Sequence, residues 1–114
     1  MSVKLNTRQV GDVNVIDVAG RITLGEGSSA LRDMIREMVG KNQKKILLNL
    51  GDVSYIDSSG IGELVSGFTT VTNQGGQLKL LSLTKRVKDL LQITKLYTVF
   101  DVHDDEAAAV RSFG

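Results

Sequence analysis

Two adjacent serines occupy the point where an apolar strand pattern gives way to a helix. The strand pattern, made of Ile46, Leu47, Leu48 and Leu50, leads into residues 53–56; Asp57 follows, and then come Ser58, Ser59 and Gly60. The first N–H groups of a helix lack partners inside the helix and attract negative charge. A serine hydroxyl in such a place can cap the helix, act as a nucleophile or accept a phosphate group. The chemistry of the protein depends on which of these three roles applies.

Capping accounts for only one of the two hydroxyls. Ser59, placed before Gly60 and Ile61, can accept a backbone N–H of the first turn and stabilise the helix by about 1 kcal/mol. Glu63 lies one residue too far from Ser59 for a capping box, unless the cap moves to Gly60. Capping explains neither the second serine nor the glycines, Gly60 and Gly62, which cost roughly 0.5–1 kcal/mol each in a helix. We therefore interpret the pair as a site that is kept accessible.

Nucleophilic catalysis at these serines lacks the necessary partners. The G-x-S-x-G pattern of a nucleophile elbow is absent, because no glycine stands two positions before either serine. The single histidine, His103, is the only candidate imidazole base, and it lies in an acidic stretch near the end of the chain. One histidine and no cysteine exclude a two-histidine metal motif and thiolate chemistry. We predict no catalytic residue, no metal site and no cofactor, and hence no enzyme.

A phosphate acceptor is the role that remains for the serine pair. A phosphate group adds about −1.5 to −2 charge and three acceptor oxygens, and the positive end of a helix favours that charge. Modification would therefore leave the fold intact while it reverses the sign of the local surface. Beside Asp57, the new charge would concentrate negative potential where a partner must dock.

A second glycine-rich stretch, residues 25–30 (Gly-Glu-Gly-Ser-Ser-Ala), resembles part of a dinucleotide-binding fingerprint. In that fingerprint the first glycine follows a strand directly, whereas residues 21–24 intervene here. We interpret residues 21–27 as a loop that leads to a helix capped by Ser28 or Ser29.

Strand and helix patterns alternate along the whole chain. Gly11-Asp12 predicts a hairpin turn between two strands, and apolar positions at helical spacing over residues 31–39 predict the first helix. The other predicted elements are a buried strand over 45–50, a helix over 61–71, a strand over 78–81, a helix with Val87, Leu90 and Leu91 on one face, a strand of Tyr97, Val99, Phe100 and Val102, and a last helix through 107–113. The predicted helix ends are Gly40 in a left-handed conformation, Gly75-Gly76 as a stop, Thr84 as a cap and Asp104 or Asp105 as a cap.

The predicted order is therefore β-β-α-β-α-β-α-β-α. It describes an α/β domain with a mostly parallel sheet, an antiparallel N-terminal strand and helices packed on the sheet.

The 114 residues are 41% hydrophobic and 24% charged, as in one ordinary globular domain spanning 1–114. A net charge of +1 gives no reason to expect direct nucleic-acid binding. No apolar run approaches the roughly 20 residues of a membrane span, and no signal peptide is evident, so we expect a cytoplasmic protein.

The serine motif resembles the signature of bacterial anti-sigma-factor antagonists, the STAS-domain family. The resemblance rests on residues 57–62 (Asp-Ser-Ser-Gly-Ile-Gly), preceded by residues 47–50 (Leu-Leu-Asn-Leu) and 53–56 (Val-Ser-Tyr-Ile), and it extends over essentially the whole chain. It implies that Ser58, with Ser59 as second choice, is phosphorylated by a partner that is both an anti-sigma factor and a serine kinase of the histidine-kinase-like ATPase fold. The unmodified form would sequester this partner and free a sigma factor, and a PP2C-type phosphatase would reset the switch.

The resemblance also implies a partner surface around the motif. Its expected members are Thr23, Ile56, Asp57, Ser58, Ser59, Gly60, Ile61, Gly62 and Glu63. One stretch departs from the family pattern, because Gly20-Arg21-Ile22-Thr23 stands where relatives often carry a Gly-Glu-Leu-Asp-like run. Thr23 is either a turn residue or a second acceptor. The alternative function is a STAS scaffold that does not switch, or an interaction module associated with a transporter.

Overall fold

The chain begins with two antiparallel strands, β1 (Val3–Val10) and β2 (Val13–Ile22). The turn between them places Gly11 at a φ of 63°, a left-handed conformation that glycine adopts without steric cost. This is the hairpin that the Gly11-Asp12 pair predicts. The computed structural model describes residues 3–113, so residues 1, 2 and 114 of the predicted domain lie outside the described residues.

Three further strands extend the sheet in parallel. They are β3 (Lys45–Ile56), β4 (Gln77–Leu81) and β5 (Val102–His103). The spatial order is β1-β2-β3-β4-β5, with only the first pair antiparallel. The carboxyl ends of β2 to β5 therefore meet at one edge of the sheet. The predicted mixed sheet and the predicted order of elements are confirmed.

Within residues 3–113, three helices connect the parallel strands and a fourth follows β5. They are α1 (Glu26–Gly40), α2 (Ser58–Asn73), α3 (Lys85–Ile93) and α4 (Glu106–Ser112). Ile46 and Leu48 of β3 pack in the larger core cluster with residues of α1, α2 and α3, whereas Leu47 packs in a smaller cluster with residues of α4. Neighbouring strand residues point to opposite faces, so both faces of the sheet are covered.

Two strands reach further than the sequence predicted, and one is shorter. β2 continues through Gly20 to Ile22, and β3 runs on to Ile56, because the two strands pair in parallel up to those residues. The predicted loop over residues 21–27 is thus reduced to residues 23–25. The last strand begins only at Val102; Tyr97 is 37% exposed and lies in the turn that follows α3. The apolar residues there predicted a strand, but β4 offers a partner only to residues 102 and 103.

Two predicted helix ends are wrong. α1 begins at Glu26 after Gly25, which has a φ of 97° and no side chain to cap the helix. Ser28 lies inside the first turn, and both its N–H and its hydroxyl donate to the Thr23 carbonyl. At the other end, the left-handed residue is Asn42 and not Gly40, because the chain makes an additional turn before β3.

Three other predicted helix ends are confirmed. The Thr84 and Asp105 side chains accept the N–H groups of Val87 and Ala108, respectively. Gly75 follows α2 with a φ of 83°.

Candidate functional site

Asp57 connects β3 to α2 and caps the helix. Its backbone is extended, and its Oδ1 accepts the Gly60 N–H at 2.9 Å. Its Oδ2 accepts the Leu24 N–H at 3.3 Å. One carboxylate therefore fixes both the start of α2 and the loop between β2 and α1. Ser59, the cap that the sequence offered as an alternative, does not have this role, because Asp57 is the last extended residue and reaches the third N–H of the helix.

Ser58 is the first residue of α2 and is exposed. Its hydroxyl makes no hydrogen bond within residues 3–113. Since Asp57 performs the capping, the fold does not require this oxygen. Ser58 is thus a free alcohol at the positive end of a 16-residue helix.

Ser59 has a different environment, although it is the next residue. It is half-buried, whereas Ser58 is exposed. The Arg32 guanidinium of α1 donates to the Oγ of Ser29 in the same helix at 3.1 Å. Arg32 also pairs with Glu63 at 3.1 Å, where the Glu63 side chain is only 15% exposed. The second oxygen of Glu63, Oε1, is buried and without a hydrogen-bond partner in the described part of the chain. Arg32 and Glu63 therefore join α1 to α2.

The two glycines after the serines have opposite surroundings. A Cβ at Gly60 would collide with the Ile22 carbonyl oxygen and lie 2.6 Å from Cγ1 of Ile56. Gly62 is exposed, and a Cβ there would meet nothing within 4 Å. Gly60 thus permits the close approach of α2 to β2, whereas Gly62 leaves a stretch of bare helix surface beside Ser58.

The loop between β2 and α1 lies against the serine turn, as the sequence predicted for Thr23. Thr23 is half-buried and its carbonyl is used by Ser28. Leu24, which sequence reasoning missed, is 79% exposed and is held by its N–H to Asp57. Its signal was a large apolar residue in a loop with no strand or helix pattern to bury it.

Three members of the predicted partner surface lie beneath it. Ile56, Gly60 and Ile61 are buried, so a partner cannot contact their side chains. They support the surface because they pack α2 against the sheet. The accessible part consists of Leu24, Ser58 and Gly62, with Thr23, Asp57, Ser59 and Glu63 partly covered.

Two arginines and a tyrosine adjoin this surface. Arg21 at the end of β2 and Arg86 in the first turn of α3 both approach the ring of Tyr55, with guanidinium carbons 4.9 and 4.1 Å from the ring centroid. Tyr55 precedes Ser58 by three residues, so their Cα atoms lie within about 11 Å of each other.

His103 belongs to a separate cluster. Its Nε2 lies 3.2 Å from the Asp101 carboxylate, which also pairs with Lys79 at 3.0 Å. Lys79 and, to a smaller extent, His103 hold the pKa of Asp101 below its ordinary value. Within residues 3–113, no group of three or more histidines and acids could hold a metal ion, and no helix is long and apolar enough to cross a membrane.

Comparison with known proteins connects this geometry to one family. The STAS domain model matches residues 4–109. The anti-sigma-B factor antagonist of Bacillus subtilis is 31% identical over 102 residues, which cover 90% of this chain and 92% of that protein. Two solved structures share the fold. An anti-sigma factor antagonist from Mycobacterium paratuberculosis has a TM-score of 0.83 at 17% identity over 98% of this chain and 94% of that one. The phosphorylated form of the Bacillus cell fate determinant SpoIIAA has a TM-score of 0.75 at 19% identity over 96% and 98%.

Proposed function

The chain belongs to the STAS domain family, and from this premise we propose that it is a cytoplasmic anti-sigma factor antagonist controlled by phosphorylation. In this proposal the unphosphorylated form binds an anti-sigma factor and thereby releases a sigma factor. The same partner is a serine kinase of the histidine-kinase-like ATPase fold, which phosphorylates Ser58 and so ends the interaction. A PP2C-type phosphatase restores the binding form.

The free hydroxyl of Ser58 is the observation that carries the proposal. It is exposed and unbonded among the described residues, while its neighbour Ser59 is half-buried. A kinase must bring the acceptor oxygen into line with the γ-phosphate of ATP, and only an accessible hydroxyl permits this. The structure thus favours Ser58 over Ser59 as the acceptor.

A phosphate on Ser58 is compatible with the fold. The added charge of about −1.5 to −2 would lie at the positive end of α2, where the helix dipole favours it. No core residue would have to move, because Ser58 packs against nothing that the fold requires. The phosphate would instead change the charge of the surface, because it adds negative charge beside the carboxylate of Asp57.

The surroundings of Ser58 suit a protein partner. Leu24 offers an exposed apolar side chain on a loop that Asp57 holds in place, and apolar anchors of this kind dominate the energy of many interfaces. Gly62 allows a partner to approach the helix backbone closely. A partner seated on Leu24 and Gly62 would cover Ser58, so the phosphate would enter the interface directly.

Mapping the phosphate tests the proposal. The purified chain is incubated with ATP and each purified serine kinase of the histidine-kinase-like ATPase fold from the same organism, and the product is analysed by mass spectrometry. We expect one phosphate on wild type and on Ser59→Ala, and none on Ser58→Ala. Incorporation that persists in Ser58→Ala would contradict the assignment. If no such kinase modifies wild type, the scaffold or transporter-associated module becomes the better explanation.

A further inference from the structure

Arg21, Tyr55 and Arg86 form a cationic platform that the proposed phosphorylation does not use. They come from three elements, β2, β3 and α3, yet both guanidiniums lie within 5 Å of one ring centroid. Both arginines are exposed, and neither makes an ion pair or a side-chain hydrogen bond within the described ranges. Stacking on an aromatic ring orients a guanidinium while its N–H groups remain available. The platform therefore presents unsatisfied donors to solvent.

The position of Arg86 conflicts with the local electrostatics of α3. The helix starts with two cations, Lys85 and Arg86, and has no acidic residue in its first turn. Cations are unfavourable at this end of a helix dipole. Lys85 is compensated by Asp89, which its ammonium meets at 2.8 Å, whereas Arg86 has only the Tyr55 ring. A residue that breaks a local rule without compensation within the fold indicates a role outside the fold.

We propose that this platform binds an acidic patch on the anti-sigma partner and contributes to the choice of that partner. The proposal rests on the proposed function and adds the chemistry of the partner surface, namely clustered carboxylates. Guanidinium groups match carboxylates because their parallel N–H donors form two hydrogen bonds at once. Two oriented guanidiniums on one ring therefore fit a pair of neighbouring Asp or Glu side chains.

The platform is close enough to Ser58 for one partner to contact both. A standard interface covers about 800 Å² on each partner, and the Cα of Tyr55, on whose ring the two arginines stack, lies within about 11 Å of the Cα of Ser58. Beyond Arg86, a groove along α3 is lined by Leu90 and by Ile93, which is 75% exposed. A partner whose acidic patch binds the platform would thus also make apolar contacts along this groove.

Phosphorylation of Ser58 would weaken the binding of the platform to the acidic patch of the partner. A phosphate on Ser58 weakens the positive potential at this end of the sheet and repels the carboxylates of the partner. The cationic platform therefore makes binding more sensitive to the phosphate than apolar contacts alone would. This coupling gives Arg21 and Arg86 a function in the switch although neither is modified.

Charge reversal with a matched control tests the proposal. The Kd of the kinase that phosphorylates the chain is measured by calorimetry with wild type, Arg21→Glu, Arg86→Glu and Arg36→Glu, at low and at moderate salt. Arg36 is an exposed arginine of α1 without an aromatic neighbour. We expect Arg21→Glu and Arg86→Glu to raise the Kd at least about tenfold and to reduce its salt dependence, and Arg36→Glu to change it less than about twofold. Lysine substitutions in the acidic patch of the kinase should restore binding of Arg21→Glu.

The outcomes separate this proposal from the one on which it rests. If wild type and both platform variants bind the kinase with equal Kd and the same salt dependence, the platform proposal is contradicted and the phosphorylation proposal stands. If Arg36→Glu loses as much affinity as the platform variants, the platform proposal is contradicted as well, because net charge alone would then explain the loss. If no such kinase binds wild type, both proposals fail. Urea unfolding of each variant shows that the fold is intact.

Discussion

At the scale of single residues, Asp57 determines what the two serines can do. Its two carboxylate oxygens hold the Gly60 and Leu24 N–H groups, which completes the cap of α2 and leaves Ser58 without a structural task. Ser59, the next residue, is half-buried, whereas Ser58 is exposed. Two identical side chains in adjacent positions therefore differ in their accessibility to a partner.

We predict that Asp57→Ala destabilises the fold by about 1–2 kcal/mol, the usual cost of a lost N-cap. Asp57→Asn is the matched control, because asparagine caps helices as well as aspartate does. Urea unfolding measures both changes. An alanine variant as stable as wild type would show that the hydrogen bonds of Asp57 do not stabilise the start of α2.

At the scale of elements, the approach of α2 to β2 depends on one glycine. Gly60 lies against the Ile22 carbonyl and Ile56, whereas Gly62, two residues on, faces open space. The pair therefore offers the same substitution in two opposite environments on one helix.

We predict that Gly60→Ala destabilises the fold by about 1–3 kcal/mol, because the new methyl group overpacks a backbone contact. Gly62→Ala should instead stabilise it by up to about 1 kcal/mol, since alanine favours helix where nothing obstructs its side chain. Chemical denaturation compares the two variants with wild type. Equal effects of the two substitutions would contradict the close packing at Gly60.

The sequence predicted the elements better than their ends. Apolar periodicity indicates each strand and helix because it reflects burial, and the Asp57-Ser58 motif predicted the candidate site. The capping role of Asp57 depends on where β3 ends, which is set by parallel pairing with β2 and not by local sequence. The stacking of Arg21 and Arg86 on Tyr55 requires three elements to converge, and no local pattern indicates it.

At the scale of the whole molecule, Arg8 connects the first strand to the last helix. Its guanidinium meets the Asp17 carboxylate of β2 at 2.7 Å and the Glu106 carboxylate of α4 at 2.6 Å. Hydrogen bonds from Arg8 are the main reason why the pKa values of Asp17 and Glu106 are lowered. None of these three residues belongs to the surface around Ser58, so this network can be changed without altering Ser58.

These lowered pKa values predict how stability depends on pH. A carboxylate with a lowered pKa in the folded state stabilises the fold above its unfolded pKa of about 4, and this contribution is lost as the pH falls through the lower folded value. Wild type should therefore lose stability on acidification below about pH 4, and Arg8→Gln should lose less over the same interval. Urea midpoints between neutral and acidic pH check this. Identical pH profiles would contradict a role for Arg8 in the acid response.

The most direct test compares phosphorylated and unphosphorylated protein in one binding experiment. The chain is modified at Ser58 by its kinase and purified, and its affinity for that kinase is measured by calorimetry beside its thermal unfolding. We predict that phosphorylation raises the Kd at least about a hundredfold, or about 2.7 kcal/mol, while the melting temperature changes by only a few degrees. Unchanged affinity, or a phosphorylated chain that no longer folds, would contradict the account.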